Sequence, residues 1–277
     1  MPPKKKPTRS EATALPTEDT PPRTELHHFM QLWYGRVKIG KTVLAKQFPN
    51  TLFLFFEEGG KGLKLRSMLM NDWVKFRKTV KLLTTTKHSY QNVVIDTGEI
   101  AYERCLEWVC EKMAIDHPSD EEYGKGWQAV KKEFNLQVLE LNNSGLGIIV
   151  NSHEKIIKVQ GRRDDISRIQ PSLSAQALSV IEAMVDVFAY FRYDDDGNRV
   201  IQIVGDEIVS AGHRLGDDAN RFKYADGSPI HTIPMGKNAG EAYKNMISAF
   251  NNELGTMRHV HSKKAKKKTS KKKATNQ

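Results

Sequence analysis

The chain has 277 residues, 39% of them hydrophobic, and 43 Lys and Arg against 33 Asp and Glu give a net charge of +10. That is enough apolar material for one sizeable domain and excludes a wholly disordered chain, while no run approaches the roughly 18 apolar residues of a membrane span. No apolar segment follows the basic start, and two cysteines cannot build a disulfide framework, so a reducing cytoplasm is the expected setting and no membrane partner is expected.

The charge is unevenly placed. Residues 258–277 carry nine bases and no acid, residues 1–25 carry five bases and four acids, and the remainder is neutral. Six of the eleven prolines fall in the first 22 residues. The expected organisation is therefore a disordered Pro/Lys leader over 1–25, a folded domain over 26–257 and a disordered Lys-rich tail over 258–277. Eight lysines in the eleven residues 263–273 attract polyanions through counterion release without sequence preference. The alternative is a tail that only keeps the chain in solution.

Phe29 to Tyr34 is an apolar run ending at Gly35, the pattern of a buried strand. Thr42 to Phe48 follows as a short helix, stopped by Pro49-Asn50. Thr51 to Phe56 is a second strand, apolar enough to be covered on both faces, and Glu57-Glu58-Gly59-Gly60 ends it. Asn92 to Asp96 is a third strand and Glu99 to Ala114 a helix with Ile100, Cys105 and Val109 inward. After the loop His117–Asp120, the residues Trp127, Val130, Phe134, Val138 and Leu141 line one face of a long helix. Leu146 to Val150 is a fourth strand. Residues 155–176 are polar and basic with little periodicity and read as a long loop. Ala183 to Tyr193 and Asn198 to Val204 alternate around Asp195-Asp196-Gly197, a hairpin. Strand–helix units followed by a hairpin predict an α/β fold with a mainly parallel central sheet, flanking helices and an antiparallel C-terminal hairpin.

One motif carries chemistry. Gly35-Arg36-Val37-Lys38-Ile39-Gly40-Lys41-Thr42 has the form G-x-x-x-x-G-K-[ST], between a predicted strand and a predicted helix. Its glycines let the backbone approach an anion, and its N–H groups and the helix N-terminus point at phosphates. Lys41 is placed to reach the β and γ oxygens and the Thr42 hydroxyl to ligate Mg²⁺. The metal's second partner is expected at the end of a neighbouring buried strand, where Asp96 stands. The strand between ends in Glu57-Glu58, and a carboxylate there can deprotonate an attacking water. Alternation sends the two apart, with Glu58 preferred and Glu57 the alternative. Strand four runs into Asn151-Ser152-His153-Glu154-Lys155, where His153 is the candidate contact to a γ-phosphate.

With these residues in view, the chain resembles the RecA-like core ATPases of phages, including single-strand-annealing recombinases of the Sak group and the AAA-like phage nucleotide-binding proteins. The resemblance spans about residues 28–235. It rests on Gly35–Thr42, Phe48-Pro49, the Glu-Gly-Gly after strand two, Val94–Thr97, Gly126-Trp127, Ser152–Lys155 and the run from Met184 to Arg192. Two departures are Arg36-Val37-Lys38 where relatives commonly carry proline, and Phe56 where relatives tend to be acidic. The resemblance implies a RecA-like P-loop fold. It further implies ATP as cofactor with Mg²⁺, ATP hydrolysis, a homo-oligomer with ATP near subunit interfaces, and single-stranded DNA as partner. The setting it implies is phage recombination, repair or replication in the host cytoplasm, alongside other proteins of those processes. The stretch after strand four, where RecA-like proteins carry a DNA loop, supplies Lys155, Lys158, Arg162, Arg163 and Arg168 for phosphate contacts. Arg192 or Arg214 is the candidate to reach across a subunit boundary. Two rival readings remain: a P-loop ATPase acting on protein partners, and a DNA-annealing module whose nucleotide site is structural.

Cys105 and Cys110 lie on one predicted helix, poorly spaced for zinc with His117, and are expected as buried thiols. His27-His28 flanks the first strand, and His259 and His261 fall in the basic tail; none is assigned a role.

Overall fold

A computed structural model describes residues 17–160 and 165–255. Most of the expected leader, all of the expected tail, and Arg162 and Arg163 lie outside the described residues. The central sheet gathers β1 (Gln31–Gly35), β2 (Thr51–Phe55), β3 (Arg66–Leu69), β4 (Asn92–Asp96), β5 (Gly147–Ser152), β8 (Val187–Tyr193), β9 (Arg199–Gln202), β10 (Gly212–His213) and β11 (Thr232–Pro234). Across the sheet the order is β11-β9-β8-β1-β5-β4-β2-β3, with β10 pairing β8. From β8 to β3 every neighbouring pair is parallel; β9, β10 and β11 add antiparallel. The other two strands, β6 (Glu154–Gln160) and β7 (Asp165–Pro171), form a separate antiparallel hairpin.

β1, β2, β4 and β5 are buried along their whole length. Strand alternation divides their side chains between two cores. Leu32, Leu54, Val93, Ile95, Ile148 and Val150 face a core closed by α2 (Trp73–Thr85), α3 (Gly98–Met113), α4 (Lys125–Asn142) and α5 (Ala175–Met184). Trp33, Phe53, Phe55, Val94 and Ile149 face the other, closed by α1 (Lys41–Ala45) and α6 (Ala239–Phe250). Helices on both faces explain why these strands read as apolar runs rather than alternating ones.

The predicted strand–helix rhythm and the hairpin β8–β9 are present, and Gly197 at φ 81° makes the turn. The structure corrects the reading in four places. Residues 61–91, to which no element was assigned, hold β3 and α2. Asp72 caps α2 by accepting from the Lys75 amide at 2.8 Å, and Trp73, Phe76, Val80 and Leu83 are its buried positions. The stretch 155–176 is not a loop but β6–β7 and the start of α5. Ala183 and Met184 end α5, capped at its start by Ser174, so the strand begins at Val187. Beyond Val204 the chain adds β10, β11 and α6. Cys105 and Cys110 are both buried on α3, and burial pushes the Cys105 thiol up.

Candidate nucleotide site

The end of β1 and the start of α1 bracket a loop that only particular residues can make. A Cβ on Gly35 would stand 2.3 Å from the Phe191 carbonyl oxygen, so a bare Cα is what lets the loop leave the sheet beside β8. Gly40 sits at φ 120°, a region that side chains disfavour. Lys41 follows, and its side chain turns back across the loop. Its Nζ donates to the carbonyls of Gly35 at 2.8 Å and Arg36 at 3.0 Å. Burial lowers the Lys41 pKa; the nearby charges of Asp96, Glu99 and Glu154 act in the opposite sense. Of the other loop positions, Val37 is exposed and Ile39 is buried in the core, so the side chain at 39 anchors the loop.

Thr42 and Asp96 come together across 54 residues of sequence. The Thr42 hydroxyl donates to Asp96 Oδ2 at 2.8 Å, and Asn151 Nδ2 donates to the same oxygen at 3.1 Å. Register places Asn151 there, because β5 lies between β1 and β4 and pairs Asp96 with Asn151. Asn151 is fully buried, and among the described residues its Oδ1 has no hydrogen-bond partner; nor has the buried Thr97 hydroxyl. A hydroxyl, a carboxylate and unpartnered oxygens form a hard donor set that suits Mg²⁺.

A second pair stands beside this one. Glu99, in the first turn of α3, uses Oε1 to accept from the His153 amide at 3.0 Å and from His153 Nδ1 at 2.7 Å. The bond to Glu99 raises the His153 pKa against the effect of burial, Lys41 lowers it, and Glu57 raises it. For Glu99 burial acts upward, but the two bonds from His153 outweigh it and the carboxyl titrates lower than usual. The two strand-end glutamates part company, as alternation requires. Glu58 is exposed and salt-bridged to Lys61, which lowers its pKa, whereas the charge of Glu57 is felt at His153. Of the two, Glu57 is the one whose charge reaches His153, while Glu58 is turned to Lys61; both are exposed.

The loop is also joined to the β6–β7 hairpin. Arg36 Nε donates to Glu154 Oε1 at 3.3 Å, and the Tyr190 hydroxyl donates to Glu154 Oε2 at 2.9 Å. Of the basic residues beyond, Lys155 Nζ is held by the Leu173 carbonyl at 2.6 Å and Arg168 Nε by the Glu207 carbonyl at 3.2 Å, while Lys158 is exposed. The two arginines considered for a subunit crossing are bonded within the chain. Arg192 donates to Gln202 Oε1 and the Tyr193 carbonyl, and Arg214 to the carbonyls of Glu182 and Ala183. Asn151, Glu99 and Glu154 had no role in the sequence reading. A polar residue closing an apolar strand run was the signal available for Asn151.

A phosphate loop between β1 and α1, with the acidic strand end one strand removed, defines a RecA-like α/β P-loop nucleotide-binding fold. The family model described as an AAA domain matches residues 28–215, and the chain belongs to that family: it carries an AAA-type P-loop ATPase domain. No curated protein sequence matches the chain. Among the described residues no helix is long and apolar enough to cross a membrane.

Proposed function

We propose that this chain is an Mg²⁺-dependent ATPase that works on single-stranded DNA, in phage recombination, repair or replication, as a homo-oligomer. The observation that carries the ATPase part is the bond from the Thr42 hydroxyl to Asp96, made beside a buried Lys41 that a phosphate loop encircles. In this reading Thr42 and Asp96 hold the metal, which neutralises charge on the β- and γ-phosphates when bound. Lys41 exchanges its two carbonyl partners for phosphate oxygens. Glu57 takes the proton of the attacking water, a role for which Glu58, turned to Lys61, is poorly directed. Glu99 fixes the Nδ1 side of the His153 ring and leaves Nε2 as the end that addresses the γ-phosphate.

Support for DNA is of a different kind. The hairpin begins at Glu154, next to His153, and Arg36 ties it to the phosphate loop. Lys158 is exposed on β6, and the nine bases of 258–277 add a sequence-independent attraction. The test is the ATPase rate, with Mg²⁺, in the presence and absence of single-stranded oligonucleotide. Stimulation by the oligonucleotide, abolished in Glu57→Gln and kept in Glu58→Gln, is the expected result. An unchanged rate, with no oligonucleotide retained at low salt, overturns the DNA reading. Activity lost in Glu58→Gln alone overturns the assignment of Glu57.

A further inference from the structure

The chain enters the domain through a 3₁₀ turn, Leu26–His28, just before β1. Leu26 is buried in the core, and the backbone around it is held at several points. The His28 amide donates to the Glu25 carbonyl at 3.0 Å, the Phe29 amide to the Leu26 carbonyl at 3.2 Å, and Arg23 Nη1 to the His28 carbonyl at 2.5 Å. The turn is also pressed against the start of β5, where a Cβ on Gly147 would stand 1.8 Å from the His27 carbonyl oxygen. Three side chains with metal-ligating atoms leave this fixed turn together. One ligand atom each from Glu25, His27 and His28 lie within 4.8 Å of one another. Among the described residues no other three His, Cys, Asp or Glu side chains gather in this way.

We propose that Glu25, His27 and His28 form a binding site for a divalent transition-metal ion of the zinc type. Zinc bonds of about 2.0–2.2 Å in a tetrahedral arrangement set the donor atoms about 3.3 Å apart. His27 Nδ1 and Glu25 Oε2 already stand 3.2 Å apart. The two imidazole rings have centroids 4.3 Å apart and are tilted by 59°. A nitrogen lone pair lies in the plane of its ring, so tilted rings can aim at one ion where flat-stacked rings could not. A metal takes the neutral imidazole. Burial lowers the His27 pKa, the charge of His28 lowers it further, and Glu25 acts in the opposite sense. Two imidazoles and a carboxylate suit zinc, nickel or copper, whereas Mg²⁺ prefers oxygen ligands. This site is independent of the nucleotide reading. The turn precedes β1 and the phosphate loop follows it, and β1 is about 13 Å long at the usual strand rise. Glu25 is exposed and both histidines are part-buried, so an ion has a way in, and a fourth position is left to water. Once bound, the ion ties the exposed glutamate to the fixed turn and sets where the preceding chain joins the domain.

The experiment is calorimetric titration of the nucleotide-free full chain with zinc chloride, with Mg²⁺ already in millimolar excess so that oxygen-donor sites are filled. Melting curves are taken with and without zinc. Wild type is expected to take up zinc at one site and to melt higher with it, by mass action on the folded state. His27→Ala and His28→Ala should each lose about tenfold or more in zinc affinity, a loss that even an indirect partner of a metal can cause. Glu25→Gln, at an exposed position, keeps the fold and should also weaken binding, so that a loss in the histidine variants is not mistaken for unfolding. The double variant His259→Ala/His261→Ala, outside the described residues, should bind as wild type does. Wild type that takes up no zinc in the presence of Mg²⁺ overturns the site. So does zinc affinity that is unchanged in the three variants, or lost only with His259 and His261.

Discussion

Asn151 offers the most direct test of the site's construction. Its side chain is fully buried and donates to the Asp96 carboxylate, the group that also accepts from Thr42. A hydrogen bond to a charged acceptor contributes about 1.5–3 kcal/mol to stability. Asn151→Ala removes that bond, but it also removes Oδ1, a buried acceptor with no partner, and so relieves part of the desolvation cost. The net loss expected is near the lower figure, about 1.5 kcal/mol, or a fall in Tm of about 3–6 °C for a domain of this size. Urea denaturation of wild type and variant measures it. Nucleotide affinity should fall more in the presence of Mg²⁺ than in its absence, because the oxygen that Asn151 holds is the one shared with Thr42. A variant with wild-type stability and an unchanged Mg²⁺ dependence would refute the shared carboxylate oxygen as the organising contact.

Glu99→Gln should lower the His153 titration midpoint, followed by NMR of the imidazole carbon. The raised histidine adds stability that is fully present below its unfolded value near 6.5 and is lost as pH rises through its folded value. The lowered carboxyl adds stability present above 4.5 and lost as pH falls through its folded value, so the pair supports the fold best between those limits. An unmoved midpoint would remove Glu99 as the orienting group. Gly35→Ala should cost about 1–3 kcal/mol, since the new methyl meets the Phe191 carbonyl, and β1 and β8 must part; an unshifted melting curve would contradict that contact. Arg36→Ala breaks an exposed ion pair and should change stability by less than about 1 kcal/mol, yet weaken the dependence of DNA binding on ATP. Deleting residues 258–277 removes nine bases and should flatten the salt dependence of DNA binding; an unchanged slope would mean that the tail makes no phosphate contacts.

What could be read from the sequence was whatever is written contiguously. The loop from Gly35 to Thr42 declares itself because its glycines, lysine and threonine act at fixed short offsets. Asp96 is legible because three apolar strand residues, Val93, Val94 and Ile95, precede a lone acid. Asn151 and Glu99 have no such local pattern. Their roles follow from β5 lying between β1 and β4 and from α3 starting beside the end of β5, and sheet order is not spelled out along the chain. The choice between Glu57 and Glu58 turned on which way a strand end faces. The missed α2 is different, since Trp73, Phe76, Val80 and Leu83 recur at helical spacing behind an Asp72 cap. That signal was present but lay among lysines and threonines. The hairpin β6–β7 was obscured because both its faces carry charged and apolar residues together, so neither strand alternates cleanly.

The hairpin is moored at its two legs by different means. β6 starts at Glu154, held to Arg36 and Tyr190 through its carboxylate, whereas β7 is held through backbone bonds from the Ile169 amide to the Ile208 carbonyl and from the Ser210 amide to the Ile169 carbonyl. A ligand at the phosphate loop can compete for Arg36 but not for those amides. A ribbon released at the first mooring alone would pivot about the second rather than slide as a whole. From Ile156–Ile169 to Gln160–Asp165 is four residues, about 13 Å at the usual strand rise, so a 10° swing would displace the outermost described pair by about 2.3 Å. That is roughly two-thirds of one strand step, at the end of the ribbon far from the phosphate loop.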